Sequence, residues 1–171
     1  MTTHPFDRLP LAAGGALLFT PCPGTKDVDL ATALDQLRQA GADAVITLMP
    51  EEEMARFDAE SLPEACAQRD MAWFHLPVAD DAAPAAEFET QWSTQRQAVH
   101  RLLDGSGTVA IHCRGGSGRT GLMAAILLLE RGHGLDQTIA MVQALRPNAL
   151  KQPSHRDYLD RIAGNSPQRE M

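Results

Sequence analysis

Residues 108–121 read Thr108-Val109-Ala110-Ile111-His112-Cys113-Arg114-Gly115-Gly116-Ser117-Gly118-Arg119-Thr120-Gly121 and carry the strongest structural signal in the chain. A short apolar run ends at a cysteine, a glycine-rich loop follows, and an arginine and a threonine open a long apolar run. This order predicts a strand, an anion-binding loop and a helix N-terminus in direct succession. The loop amides and the positive end of the helix dipole would then surround one small volume.

Cys113 opens this loop and Arg119 closes it. Helix N-termini and neighbouring cations lower the pKa of cysteine thiols from about 8.5 to between roughly 3.5 and 7.5. The pattern therefore predicts a nucleophilic thiolate, with Thr120 donating a hydrogen bond to the sulfur. The same donors suit the oxygens of a phosphate, and the planar Arg119 guanidinium matches two of them. A nucleophile at the floor of a phosphate cradle indicates covalent phosphoryl transfer to sulfur.

The glycines of the loop would allow positive φ angles and a close approach of the backbone to the anion. The alternative interpretation, an inert buried cysteine at a strand end, does not account for three glycines, an arginine, a hydroxyl residue and a helix in this order. The predicted phosphate-binding residues are Arg114, Gly115, Gly116, Ser117, Gly118 and Arg119.

The order His112-Cys113, five residues, Arg119-Thr120-Gly121 resembles the signature of cysteine-dependent protein phosphatases, and its compact form is similar to their dual-specificity branch. The resemblance covers residues 19–159 and is greatest to the kinase-associated phosphatase and its bacterial relatives. It implies hydrolysis of phosphotyrosine or phosphoserine/threonine through a phosphocysteine intermediate, with no cofactor and no metal. The further matching stretches are Pro21-Cys22-Pro23-Gly24-Thr25-Lys26 and His75-Leu76-Pro77-Val78-Ala79-Asp80.

A general acid is expected in a loop ahead of the cysteine, because the leaving oxygen of a phosphoester needs a proton. Asp80 and Asp81 follow a predicted strand about thirty residues before Cys113. The resemblance places an acid in such a loop, and the match of Pro77-Val78-Ala79-Asp80 favours Asp80 over Asp81. Asp80 would then protonate the leaving oxygen and later activate the hydrolytic water.

Three further residues are predicted to support the site. The ring of His112 would hydrogen-bond the backbone and hold the loop. The family often carries a glutamine near its C-terminal helix that places the water of the second step. That position holds His155 here and Gln152 lies three residues earlier, so either residue, or neither, would serve.

Strands alternate with helices along the 171 residues, which predicts an α/β fold in one domain spanning residues 1–171. We expect a central, mostly parallel β-sheet of about four to five strands flanked by helices on both faces, with the phosphate-binding loop at the carboxyl end of a central strand. Residues 1–15 and 165–171 are expected to be loosely ordered. The predicted strands are 16–20, 44–48, 71–76 and 108–112, and the predicted helices are 29–41, 50–56, 59–69, 84–103, 119–131, 135–145 and 153–163.

The acidic run Glu51-Glu52-Glu53 is interpreted as a solvated helix N-terminus, where carboxylates suit the helix dipole. A net charge of −7 argues against nucleic acid and anionic membranes as partners. Three cysteines are too few for a disulfide framework, which favours a reducing cytoplasm. Cys22 and Cys66 could act as resolving thiols for an oxidised Cys113.

The expected partners are a phosphoprotein substrate and, in the cradle, phosphate, sulfate or vanadate, with the chain as a monomer. Two other functions remain open. A rhodanese-type sulfurtransferase also uses one cysteine in a loop after a parallel strand, but it has no need for Asp80 or for Arg119 followed by Thr120. A non-catalytic phosphopeptide-binding module would not need Cys113 and Asp80 intact.

Overall fold

A five-stranded sheet forms the centre of the computed structural model, which describes residues 3–12 and 14–164. The strands lie in the order β1-β2-β5-β3-β4; β1 is antiparallel to β2, and every other pair is parallel. The predicted α/β class and mostly parallel sheet are confirmed. The strands are β1 (Asp7–Pro10), β2 (Ala16–Thr20), β3 (Ala42–Thr47), β4 (Ala72–His75) and β5 (Thr108–His112).

Helices cover both faces of this sheet. Alternate residues of β2 point to opposite faces, so that Leu17 and Phe19 belong to one apolar cluster and Leu18 to the other. No helix within residues 3–12 and 14–164 is both long and apolar enough to cross a bilayer. The helices are α1 (Leu30–Gln39), α2 (Glu51–Arg56), α3 (Leu62–Gln68), α4 (Ala86–Asp104), α5 (Gly118–Glu130), α6 (Leu135–Leu145) and α7 (Pro153–Gly164).

The N-terminal segment departs from the expectation for residues 1–15, because Asp7–Pro10 form the edge strand β1. Its side chains are mostly exposed and show no alternation of apolar and polar residues, which removes the signal by which a strand is predicted. Pro10 is compatible with this position, since an edge strand leaves one side of its backbone unpaired. Residues 165–171, also expected to be loosely ordered, lie outside the described residues.

The strand β5 lies between β2 and β3, and the helix α5 that follows it is the most buried helix of the fold. Every residue from Arg119 to Leu129 is buried. The apolar character of this run on all sides predicts such a central helix, and the prediction is confirmed. Strand, loop and helix therefore place residues 113–118 at the carboxyl edge of the parallel sheet, where such sheets bind ligands.

Candidate active site

The sulfur of Cys113 lies at the floor of the loop that joins β5 to α5. The residue is only 3% exposed. Its Sγ accepts hydrogen bonds from the backbone N–H of Gly116 and from the Thr120 hydroxyl, each at 3.3 Å. Two hydrogen-bond donors, one from the loop and one from α5, are therefore aimed at the same sulfur.

Gly116 is the glycine that the shape of this loop requires. Its φ is +80°, and a Cβ there would lie 2.6 Å from the carbonyl carbon of Thr20 and 2.7 Å from the nitrogen of Pro21. Gly115 and Gly118 would also allow a positive φ, but neither adopts one. A Cβ on either of them would meet no protein atom within 4 Å, so these two glycines leave the mouth of the loop open.

Two contacts from outside hold the loop in place. The N–H of Cys22 donates to the carbonyl of Arg114 at 3.0 Å. Arg146, in the connection after α6, donates from Nε to the carbonyl of Gly116 at 2.8 Å and from Nη2 to that of Phe19 at 3.2 Å. Arg146 was missed by the sequence analysis, since a lone arginine thirty residues beyond the loop gives no sign of where its guanidinium will reach.

The loop ends at the N-terminus of α5. Ser117 occupies the N-cap position and makes no side-chain capping hydrogen bond. The first N–H groups of an α-helix have no partner within the helix. Because no side chain caps them here, they remain available to an anion held above Cys113.

Arg119, the second residue of α5, is buried, and its guanidinium is hydrogen-bonded to two other residues. Its Nη1 and Nη2 donate to the two carboxylate oxygens of Glu53, each at 2.8 Å, and Nη1 also donates to the carbonyl of Val78 at 2.9 Å. A guanidinium has five N–H donors. Within the part of the chain that the structure describes, Nε and the second Nη2 hydrogen make no hydrogen bond, so this edge can bind two oxygens of a ligand.

The interpretation of the acidic run Glu51-Glu52-Glu53 as a solvated helix N-terminus is wrong for Glu53. Glu51 and Glu52 are exposed, but Glu53 is only 4% exposed. It lies next to the buried Met54 on the inner face of α2. A buried carboxylate needs a cation, and the partner lies 66 positions away in the sequence. Local pattern alone does not reveal such a pair.

The charges around Arg119 act on its pKa in opposite directions. Burial by itself lowers the pKa of the guanidinium, while the hydrogen-bonded Glu53 and the negative charges of Cys113 and Asp80 raise it. The net effect is a pKa above the ordinary value for arginine. The side chain is therefore a permanent cation beside the sulfur.

Asp80 lies on the loop after β4, across the mouth of the site. Its Oδ1 is 3.5 Å from Nη2 of Arg119, and its side chain is 60% exposed. Asp81 is also exposed and has a φ of +60°, in the left-handed region. The structure brings Asp80 to Arg119 and, within the described residues, records no such contact for Asp81.

Gln152, just before α7, and His155, in its first turn, contact the same loop. The side-chain amide of Gln152 donates to the carbonyl oxygen of Asp81. Nε2 of His155 donates to the carbonyl oxygen of Ala82 at 2.8 Å. Burial lowers the pKa of His155, which favours the neutral ring. Both side chains therefore brace the loop that carries Asp80.

His112 lies beneath the loop in a chain of hydrogen bonds. Its Nδ1 donates to the carbonyl of Cys113 at 3.0 Å, and its Nε2 accepts from the Thr47 hydroxyl at 2.7 Å. That hydroxyl accepts from Nε1 of Trp73 at 2.8 Å. Complete burial lowers the pKa of His112 to about 4. A neutral ring with its proton on Nδ1 satisfies every group in this chain.

The other two cysteines differ from Cys113 in their surroundings. Both are buried and free. Burial, with smaller contributions from Cys113 and Glu53, raises the pKa of the Cys22 thiol to about 12. Burial raises that of Cys66 to about 11. Both therefore stay protonated at neutral pH. Within the described ranges, no three His, Cys, Asp or Glu side chains are grouped in a way that could hold a metal ion.

A known family matches the part of the chain that contains Asp80, Cys113 and Arg119. A family model described as the DSP-PTPase phosphatase of polymorphic toxin systems matches residues 24–133. Among curated proteins, protein tyrosine phosphatase domain-containing protein 1 of Bos taurus is 30% identical over 138 residues. The alignment covers 75% of this chain but 17% of the bovine protein, so the chain spans less than a fifth of that relative.

Solved structures share the architecture over nearly the whole chain. The kinase-associated phosphatase, with its catalytic-site cysteine replaced by serine, superposes with a TM-score of 0.83 at 22% identity, covering 96% of this chain and 97% of that one. Tk-PTP in its active form superposes with a TM-score of 0.68 at 25% identity, covering 89% and 94%. The likeness to the kinase-associated phosphatase shows the fold, with the sheet and flanking helices described above.

Proposed function

Because this chain belongs to the DSP-PTPase phosphatase family and is a cysteine-dependent phosphatase, we propose that it hydrolyses phosphotyrosine and phosphoserine/threonine esters on proteins through a phosphocysteine intermediate. One observation carries the proposal. The Cys113 sulfur receives two hydrogen bonds at the floor of a loop, and the free edge of Arg119 and the carboxylate of Asp80 lie at its mouth.

In the first step the Cys113 thiolate attacks phosphorus, and the ester P–O bond breaks as the S–P bond forms. The loop N–H groups, with those of Ser117 and Gly118 at the helix N-terminus, hold the three non-bridging oxygens together with Arg119. Asp80 gives its proton to the leaving oxygen. This proton matters more for a serine or threonine alkoxide than for a phenolate, which is the more stable anion.

In the second step a water molecule attacks the phosphocysteine. Asp80, now a carboxylate, accepts a proton from this water, the S–P bond breaks, and inorganic phosphate leaves. The electron pair returns to the sulfur, where the hydrogen bonds from Gly116 and Thr120 stabilise the thiolate. Gln152 and His155 support this step through the loop of Asp80, whose carbonyls they bind.

The geometry supports Asp80 as the acid and base in preference to Asp81. Asp80 lies 3.5 Å from the guanidinium that faces the phosphate, so its carboxylate is at the mouth of the cradle. The open mouth beside Gly115 and Gly118 is consistent with a site that accepts both phosphotyrosine and phosphothreonine. Phosphate, sulfate and vanadate present the same tetrahedral or near-tetrahedral oxygens and would bind there. We further propose that the protein works as a monomer in the cytoplasm.

A sulfurtransferase of rhodanese type is not favoured. The matched family is one of phosphatases, and the chain holds a buried Arg119–Glu53 pair and an Asp80 loop for which persulfide transfer has no use. The non-catalytic binding module is not favoured either, since Cys113, Arg119 and Asp80 are all present in one site.

The proposal is tested by trapping the intermediate. The protein is mixed with p-nitrophenyl phosphate or with phosphotyrosine and phosphothreonine peptides, quenched with acid and digested for mass spectrometry. We expect release of phosphate, a phosphate adduct on the peptide that contains Cys113, inhibition by vanadate and no inhibition by EDTA. Phosphate release without the adduct would overturn the mechanism, and thiocyanate production from thiosulfate and cyanide would replace it with sulfur transfer.

A further inference from the structure

A second cavity, of about 440 Å³, opens beside the catalytic loop (residues 113–119), and its lining does not include Cys113, Arg119 or Asp80. Three segments that are distant in the sequence form it: the turn after β2, the end of α2, and the first residues of the catalytic loop. Its charged and aromatic lining residues are Lys26, Arg56, Phe57, Asp58 and Arg114.

The cavity is a local concentration of positive charge in an acidic protein. Lys26, Arg56 and Arg114 are exposed and line it with a single carboxylate, that of Asp58, whereas the chain as a whole has a net charge of −7. Within the described residues, none of these three cations takes part in a salt bridge, although six other arginines do. Three unpaired cations around one cavity favour an anionic group there.

Arg114 shows that the cavity and the catalytic site share a wall. The sequence assigned this residue to the catalytic phosphate, but its guanidinium lies 5.7 Å from the centre of the Phe57 ring, beside the second cavity. Gly115 also lines the cavity, and the next residue, Gly116, donates its N–H to the Cys113 sulfur. The cavity is therefore within reach of groups that neighbour a phosphate seated over Cys113.

We propose that this cavity is a specificity subsite for a second anionic group on a peptide substrate, either a carboxylate or a phosphate, close in sequence to the residue that is dephosphorylated. The proposal rests on the proposed function. Lys26 and Arg56 bind the second anion, and Phe57 offers an apolar surface to the intervening peptide. A peptide fits this charge pattern better than an anionic lipid, because the net charge of −7 repels an anionic membrane surface.

The experiment compares phosphotyrosine peptides that differ in one position. A neutral peptide of glycine and serine around the phosphotyrosine is the reference, and single glutamates are placed in turn on either side of it. At low salt we expect the best glutamate peptide to have a kcat/KM about five- to tenfold above the reference, as two exposed ion pairs allow. The preference shrinks as salt is added.

The test variant is the double substitution Lys26→Gln and Arg56→Gln, which removes two charges without touching the catalytic loop. We expect it to lose the preference for the acidic peptide while its kcat/KM for p-nitrophenyl phosphate stays within about twofold of the wild type. The matched control is Arg101→Gln with Arg161→Gln, two exposed helical arginines outside the cavity. It has the same net charge as the test variant and should keep the preference.

The outcomes separate this inference from the proposed function. Normal hydrolysis of p-nitrophenyl phosphate with no preference for acidic peptides, or an equal preference in the test variant and the wild type, overturns the subsite alone. Failure to hydrolyse any phosphoester overturns the proposed function. Phosphoinositide vesicles hydrolysed with a higher kcat/KM than the best acidic peptide, and less well by the test variant, would assign the cavity to a lipid headgroup and overturn the peptide proposal.

Discussion

The two sides of the active site are built in different ways. The catalytic loop, residues 113–119, is one continuous piece of chain whose sulfur, amides and guanidinium meet because they are neighbours in the sequence. The facing wall, which we define as Glu53 with the loop 78–82, comes from two other parts of the chain and reaches the same guanidinium across 66 and 41 positions. Arg119 is the residue that both sides share.

This difference teaches which part of the chemistry depends on local geometry and which on the fold. The loop orders its own donors around Cys113 wherever β5 and α5 are correctly joined, and such a set of donors suits an anion. The facing wall aligns Arg119 and Asp80 only after α2, β4 and α7 have packed into the folded domain. We therefore expect substitutions in the loop to abolish turnover and substitutions in the facing wall to reduce it.

The largest effect is expected for Cys113→Ser, which replaces the proposed nucleophile inside the loop. A serine hydroxyl is not ionised at neutral pH, so kcat for p-nitrophenyl phosphate should fall by at least about 10⁴-fold. The matched control is Cys22→Ala, since Cys22 is equally buried but has a pKa of about 12. It should keep activity within about threefold. A large loss in the Cys22 variant with normal folding by circular dichroism would contradict this contrast.

The next effect should come from Asp80→Asn in the facing wall. Loss of the proposed general acid should lower kcat for a phosphothreonine peptide by about 10²- to 10³-fold, and for an aryl phosphate by less, because a phenolate leaves with little protonation. Asp81→Asn is the control and should change both rates by less than about threefold. If the two variants exchange these results, Asp81 is the acid.

A third prediction concerns the support beneath the loop and is measured as stability. His112 has an ordinary pKa when unfolded and a pKa of about 4 when folded, so the unfolded chain binds more protons between these two values. The free energy of unfolding should therefore fall by about 3 kcal/mol as pH drops from about 7 to about 4. His155 and His4, whose pKa values burial also lowers, change stability in the same direction.

Urea denaturation of the wild type and of His112→Asn across this pH range measures the contribution of that ring. The asparagine variant should be less stable at neutral pH, but its stability should fall with acid by about 3 kcal/mol less than that of the wild type. Parallel pH curves for the two proteins would show that the buried ring is not responsible.

The smallest effect should follow Glu53→Gln, which keeps the shape of the facing wall and removes its charge. One oxygen still accepts from Arg119, but the two-point grip on the guanidinium is weakened, and kcat should fall about tenfold through poorer alignment of the phosphate. Glu52→Gln, one position away and exposed, should have no measurable effect. Equal activity in both variants would show that Val78 alone positions Arg119.

The catalytic loop was predictable because its signals are local. An apolar run of strand length, a glycine-rich turn and a longer apolar run follow one another in the sequence and predict a strand, a loop and a helix. The structure has all three in that order. The parallel sheet follows for the same reason, since apolar strands alternate with helices along the chain. The strand Asp7–Pro10 was missed because pairing at the edge of a sheet leaves no apolar pattern in the strand itself.

The chain's own order of residues was enough to predict the α/β class and the meeting of Cys113, the loop amides and Arg119, because each depends on groups within a few positions of one another. Only packing decided that Glu53 would be buried against Arg119, that Arg146 would hold the loop, and that Lys26, Arg56 and Arg114 would meet around one cavity. These are contacts between charged side chains from separate segments. Their partners are selected by the three-dimensional arrangement of the backbone, which no short stretch of sequence contains.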